Sequence, residues 1–292
     1  MTVTTLSTRI QAAVARFSTS EHWIRFLIGI ILASFSVAMF YPFLWLLFSS
    51  FKTGADIIAL PVRLLPRKWT LSAFQMVWTR ANLARAYANS LGVSGAIVVT
   101  ILFTSSLGGF VFARLEFPGR KILFYFILST TMVPFITLLI PFYLIMMRLR
   151  MVNSYIGLWF PSAVSAFGIF LCRQFIYGIP GELYDAAKMD GCGDFGIYYR
   201  IILPLLKPVL AALAIFDFLG SFNAYLWPLV SLSKHELYTL PLLLAMISNT
   251  FGGTNYQGVM AGSLLACIPP LLVYILFQRH FVRGIALTGI RG

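Results

Sequence analysis

The chain has 292 residues, 59% of them hydrophobic and 11% charged, where a soluble domain has roughly 45–50% and 25%. With 27 Phe, 13 Tyr and 6 Trp, this composition excludes an ordinary soluble enzyme, a disordered chain and a coiled coil, and points to a polytopic membrane protein. The net charge of +13 would suggest nucleic acid in a soluble protein; here the basic residues lie mostly between apolar runs, where they set topology and meet anionic lipid, so no nucleic-acid partner is expected.

A membrane-spanning helix needs about 20 largely apolar residues. Six stretches qualify, at 24–50, 86–113, 122–146, 155–177, 208–230 and 257–278, which predicts an all-α fold of six transmembrane helices. Residues 1–23 precede the first helix. That helix is longer than the short apolar core of a signal peptide, and no small-x-small cleavage site follows it. Residues 51–85 carry Pro61 and Pro66 and read as a folded outer loop with a short helix around Leu71–Trp78. Arg114–Lys121, with Pro118-Gly119, is a tight turn. Residues 178–207 are the longest polar stretch and hold four of the nine acids, Glu182, Asp185, Asp190 and Asp194. Residues 231–256 contain Gly252-Gly253 and predict a short outer helix; 279–292 form a basic tail.

Six spans put both termini on one side. If that side is the cytoplasm, 13 of the 22 basic residues are inside, a modest bias. The outer loop dilutes it with Lys52, Arg63, Arg67, Lys68, Arg80 and Arg85. Cys172, Cys192 and Cys267 lack metal-like spacing and read as free small hydrophobes, and His22, His235 and His280 stand alone, so neither a metal site nor a catalytic site is expected.

Pro180 suits the first turn of a helix, Glu182 and Asp185 favour its N-terminus, and Gly191 is a good stop, giving about three turns. Leu183, Ala186 and Ala187 form a narrow stripe that Asp190 continues. A second short helix near 195–203 ends at Pro204. Two readings of this pair stay open: a mechanical contact for another protein, or an interfacial amphipathic loop.

Asp217 lies nine residues beyond Pro208, about 14 Å along the helix and near the middle of a roughly 30 Å apolar layer. Such an acid either meets the solute or gates its path, or is held structurally by a neighbouring helix. Asp217, Ser221 and Ala224 share a face, which makes Ser221 the nearest partner within the helix. Pro134 and Pro141 should bend the third span, and Pro269-Pro270 the last. Ser105, Ser106, Gly108 and Gly109 permit close helix packing.

The segment Asp185-Ala186-Ala187, Gly191, nine residues, then Ile201-Ile202-Leu203-Pro204 resembles the "EAA" loop of bacterial ABC-importer permeases, with Asp185 in place of Glu. Ala113–Arg120, Asn89-Ser90 at the second span and Phe222-Asn223-Ala224-Tyr225-Leu226-Trp227-Pro228-Leu229 are similar to motifs of the carbohydrate-uptake type. Phe222 stands where Trp is commoner. The tail from Gln278 to Gly292 resembles that of the maltose-permease G-type subunit.

The resemblance implies a permease core at 86–278 in a binding-protein-dependent importer of a sugar or sugar-like solute. It implies a location in a bacterial or archaeal inner membrane, multi-pass, with both termini cytoplasmic. The implied partners are a second permease subunit in a heterodimer, two ATPase subunits, an extracytoplasmic solute-binding protein and membrane lipid. ATP-Mg would be bound by the ATPases, not by this chain, which has no Gly-x-x-x-x-Gly-Lys-Ser/Thr loop and is not expected to be an enzyme. ATPase coupling would fall to Glu182, Asp185, Ala186, Ala187, Asp190, Gly191, Ile201, Leu203 and Pro204. Gly289, Arg291 and Gly292 would enter a cleft between the ATPases. Asp217, Ser221, Asn223, Tyr225 and Asn89 are the candidates for the solute pathway. The competing class is an ion-coupled secondary transporter working without an ATPase, with Asp217 as its intramembrane acid.

Overall fold

The computed structural model describes the backbone of residues 4–79, 81–249 and 255–277, and the side chains of 23–79, 81–248 and 255–277. Every regular element among the described residues is helical, and the chain divides into two units, Met1–Thr70 and Leu71–Gly292.

The first unit consists of α1 (Thr4–Ser49), α2 (Gly54–Ile57) and a loop to Thr70. Residues Trp23–Ser49 of α1 are long and apolar enough to span a membrane. The loop is folded, as its prolines suggested. The backbone N–H of Thr70 donates to the Phe51 carbonyl at 2.9 Å, and that of Arg67 to Asp56 Oδ2 at 2.9 Å. Lys52 is fully buried; its ammonium donates to the Arg63 carbonyl at 2.5 Å and lies 4.0 Å from the centre of the Trp45 ring. Burial pushes its pKa down, with Asp56 opposing.

The second unit runs α3 (Ser72–Thr79), α4 (Leu83–Arg114), α5 (Arg120–Ser129), α6 (Phe135–Arg148), α7 (Tyr155–Trp159), α8 (Ala166–Tyr177) and α9 (Gly181–Met189). It continues through α10 (Asp194–Ile197), a π-helical turn (Tyr198–Ile202), α11 (Leu203–Leu205), α12 (Lys207–Phe222), α13 (Leu226–Ser231), α14 (Leu240–Asn249) and α15 (Tyr256–Ala266). The centre is α4, 32 residues and so about 48 Å long, which packs along α8 and α12. Small residues set the approach: a Cβ on Gly109 would lie 2.5 Å from Cys172 Cβ and 2.9 Å from the Arg173 nitrogen. Ser105 faces Gly168 and Gly108 faces Ile169 in the same seam, as their sizes led one to expect.

Among the described residues four helices are long and apolar enough to cross a membrane unbroken by large bends, Trp23–Ser49, Leu83–Arg114, Tyr155–Tyr177 and Tyr256–Phe277. Two bent pairs raise the number to six. One pair, Arg120–Met132 and Phe135–Arg148, turns by 105° at Pro134, which has no N–H to continue the helix and holds Val133 extended. Pro141, by contrast, sits inside α6 without ending it.

Other expectations need correction. The fourth span keeps its expected bounds, Tyr155–Tyr177, but its helical turns part at 163–165, where the Ser165 hydroxyl caps α8 by accepting from the Gly168 N–H at 3.0 Å. The fifth, expected to be continuous from 208 to 230, breaks at 223–225, where Asn223 caps α12 with its N–H on the Leu219 carbonyl. Pro180 occupies the position before α9 rather than its first turn. Pro204 does not end a helix but lies inside α11. It lacks the N–H that the Arg200 carbonyl would receive, and the turn just before it widens to π geometry. The short helix expected in 231–256 is the ten-residue α14, whose Leu240, Leu242 and Ile247 are buried.

Candidate functional site

Two places draw together the residues singled out in the sequence. The first is the loop between α8 and α12. Arg114, at the end of α4, donates from Nη2 to the carbonyls of Ile176 (3.1 Å) and Ile179 (2.6 Å), closing the C-terminus of α8. Beneath the loop lies an apolar cluster that joins Phe110 and Ala113 of α4 to Ala187 of α9 and to Ile197, Tyr198 and Ile202. Gly191 ends α9 at φ +81°, the left-handed conformation that glycine adopts without strain.

The expected stripe divides. Ala187 is buried against the cluster, whereas Leu183 and Ala186 are exposed. Glu182, Asp185 and Asp190 also face outward, together with Met189, Phe195 and Tyr199. Of the returning segment, Ile202 is buried, Ile201 and Leu203 are half-buried and Pro204 is exposed. The loop is tied across itself at Asp194, whose Oδ1 accepts from the Tyr184 hydroxyl at 2.6 Å and lies 2.8 Å from Lys188 Nζ. Lys188 and then Tyr184 hold the Asp194 carboxyl below the usual carboxylate range, and Asp194 in turn raises Lys188. Burial, followed by the bond to Asp194, raises the Tyr184 hydroxyl. The outward acids and apolar side chains, held on a cross-braced loop, form a surface suited to a protein partner with basic groups and an apolar cleft.

The second place is a cavity of ≈ 420 Å³ beside α12. Asp217, Ser221 and Ala224 line it, with Trp227 of α13, Ser165 at the start of α8 and Thr239. The Ser221 hydroxyl donates to the Asp217 backbone carbonyl at 2.6 Å and not to its carboxylate, contrary to the expected partnership. Asp217 Oδ2 and Thr239 Oγ1 are buried with no hydrogen-bond partner among the described residues.

The remaining pathway candidates do not line this cavity. Asn223 is exposed and its Nδ2 donates to the Leu219 carbonyl at 2.9 Å; Tyr225 is exposed. Asn89 is buried. Its Nδ2 donates to the carbonyls of Glu236 (2.9 Å) and Tyr238 (3.0 Å), and its Oδ1 accepts from the Tyr155 hydroxyl at 2.7 Å, so it pins the 236–238 segment and the start of α7 to α4. Gly289, Arg291 and Gly292 lie outside the described residues. Sequence reasoning passed over Arg114, Tyr184, Lys188 and Thr239 as site residues. Only Arg114, a charge at the end of an apolar run, carried a signal.

The family of binding-protein-dependent transport system inner membrane components matches residues 105–287. The arabinooligosaccharides transport system permease protein AraQ of Halalkalibacterium halodurans is 37% identical over 255 residues, covering 86% of this chain and 91% of that protein. The sn-glycerol-3-phosphate transport system permease protein UgpE of Brucella melitensis is 34% identical over 271 residues, covering 90% and 94%. Among solved structures, a chain of a bacterial ABC transporter involved in the import of the acidic polysaccharide alginate superposes with a TM-score of 0.79 at 26% identity, covering 90% of this chain and 98% of that one.

Proposed function

We propose how a chain that belongs to the family of binding-protein-dependent transport system inner membrane components works within its importer. It is an ABC-importer permease subunit. It forms half of a pathway for a sugar or sugar-like solute, paired with a second permease subunit. An extracytoplasmic binding protein delivers the solute, and two separate ATPase subunits bind ATP-Mg and hydrolyse it. Both termini face the cytoplasm, on the side of the loop at 178–207.

The observation that carries this reading is the cross-braced loop. Its acids Glu182, Asp185 and Asp190 face outward, while Ala187 roots it in the cluster around Phe110 on the central helix α4. A push on α9 from an ATPase is thus delivered to the longest helix of the second unit. Gly191 lets the chain reverse after α9, and Ile201, Leu203 and Pro204 return it to α12. The tail residues Gly289, Arg291 and Gly292 enter the cleft between the ATPases. The solutes in the relatives' names differ in charge, so the charge class accepted here falls to this chain's own groups and to its partners.

Purification of the assembled importer in mild detergent tests the reading. Wild type should bring down an ATPase in stoichiometric amount. Exposed ion pairs are each worth about 0–1 kcal/mol, so Glu182→Lys with Asp185→Lys should weaken retention more than either change to Ala. No ATPase with the wild type would favour the ion-coupled transporter; equal retention by all variants would remove the acids from the interface.

A further inference from the structure

The cavity beside α12 carries chemistry that the coupling role does not use. Asp217 Oδ2 and Thr239 Oγ1 are buried there without hydrogen-bond partners among the described residues. Three other polar groups on the wall, those of Trp227, Ser165 and Ser221, already bond within the protein, and Ser162 adds a further hydroxyl to it. The Trp227 indole N–H donates to the Gly157 carbonyl at 2.9 Å, the Ser165 hydroxyl accepts from the Gly168 N–H, and the Ser221 hydroxyl donates to the Asp217 carbonyl. No Lys, Arg or His among the described residues lines the cavity. A carboxylate in an apolar layer without a countercharge is costly, and it is retained where something supplies donors to it. A hydroxyl-rich ring supplies them, and the Trp227 and Phe216 side chains give the apolar wall such a ring packs on. A phosphate or a uronate would set a second negative charge beside the first with no cation to offset either.

We propose that this cavity is a solute subsite that takes a hydrogen-bond-donating, non-anionic sugar unit on Asp217 and Thr239, and that it excludes anionic solutes. The inference rests on the permease reading above.

The test uses the assembled complex in vesicles, with Cys172, Cys192 and Cys267 replaced by Ala and a single cysteine introduced by Ser221→Cys. Its labelling rate is measured with trimethylammonioethyl methanethiosulfonate and with sulfonatoethyl methanethiosulfonate. The cationic-to-anionic rate ratio should be roughly tenfold higher than in the same protein carrying Asp217→Asn, as expected for one unit charge at close range. Equal ratios, or a cysteine that neither reagent reaches, would overturn the inference. Ala224→Cys replaces Ser221→Cys if that variant does not assemble. A second arm measures uptake of arabinotriose and of sn-glycerol 3-phosphate. ATP-dependent uptake of the phosphate would overturn the subsite while leaving the permease reading intact. Uptake without ATP, driven by an ion gradient, would overturn the permease reading while the labelling ratio still reports on the subsite. With neither probe taken up, the labelling ratio alone decides.

Discussion

The hydroxyl oxygens of Ser106 and Tyr198 lie 2.8 Å apart in a buried pair that joins α4 to the π-helical turn Tyr198–Ile202. The Ser106 Oγ is also 2.7 Å from the Leu102 carbonyl, and the Tyr198 ring centre is 5.5 Å from that of Phe110. One tyrosine therefore supplies both a polar and an apolar tie between the loop and the central helix. Removing its hydroxyl leaves Ser106 with its carbonyl partner, so Tyr198→Phe should cost about 1 kcal/mol. Tyr198→Ala also empties packed space and should cost about 3–5 kcal/mol. Thermal unfolding in detergent separates the two, and an unchanged midpoint for both would show the tie to be idle.

Gly191→Pro should leave membrane insertion normal and abolish solute-stimulated ATPase activity in the reconstituted complex. Proline fixes φ near −65°, where this glycine sits at +81°. It also removes the Gly191 N–H that bonds the Lys188 carbonyl at 3.0 Å. Gly191→Ala, strained by about 1–2 kcal/mol in the left-handed region, should give an intermediate rate. Full stimulation in the proline variant would detach α9 from coupling.

The brace at Asp194 has a definite pH dependence. Its carboxyl titrates below the free value, so the brace contributes fully above about pH 4 and is lost as pH falls through the lowered value. Lys188 titrates above its free value, so its share persists through neutral pH and is lost only in strong alkali. Amide exchange across α9 should be flat from about pH 5 to 9 after correction for intrinsic rates, and should rise in Asp194→Asn at every pH. Identical protection in the variant and the wild type would mean that the brace holds nothing.

Gly109→Ala should destabilise the second unit by about 1–3 kcal/mol, because its Cβ would meet Cys172 and the Arg173 backbone. Gly95→Ala on the same helix meets nothing within 4 Å and should gain about 0.5–1 kcal/mol from helix propensity. Expression level and unfolding midpoint read both changes, and loss from both would remove the seam as the cause.

Features that depend on one residue's own backbone were legible in the sequence. Gly191 announced a chain reversal, Pro134 a bend, and the small residues of α4 a close helix neighbour, because a missing Cβ or N–H constrains the chain wherever it folds. Partnerships were less legible. Asn89 opens a motif at the second span, yet its bonds go to carbonyls 147 and 149 residues away. Helical spacing makes Ser221 the nearest partner of Asp217, but a serine one turn along a helix reaches the backbone carbonyl more readily than the carboxylate. The breaks at 163–165 and 223–225 were hidden because apolar runs look the same whether the helix is continuous or capped midway.

The seam around Gly109 also decides where this chain can flex. Two helices whose backbones touch have no slack for sliding, so α4 and α8 form a single strut that must be carried as one piece when the pathway changes shape. Two of the chain's joints are then the non-helical interruptions at 163–165 and 223–225. Val164 and Ser165 belong to one and Ala224 to the other, and all three stand on the wall of the Asp217 cavity. A few degrees of backbone rotation at either joint would resize the chamber while the strut stays rigid.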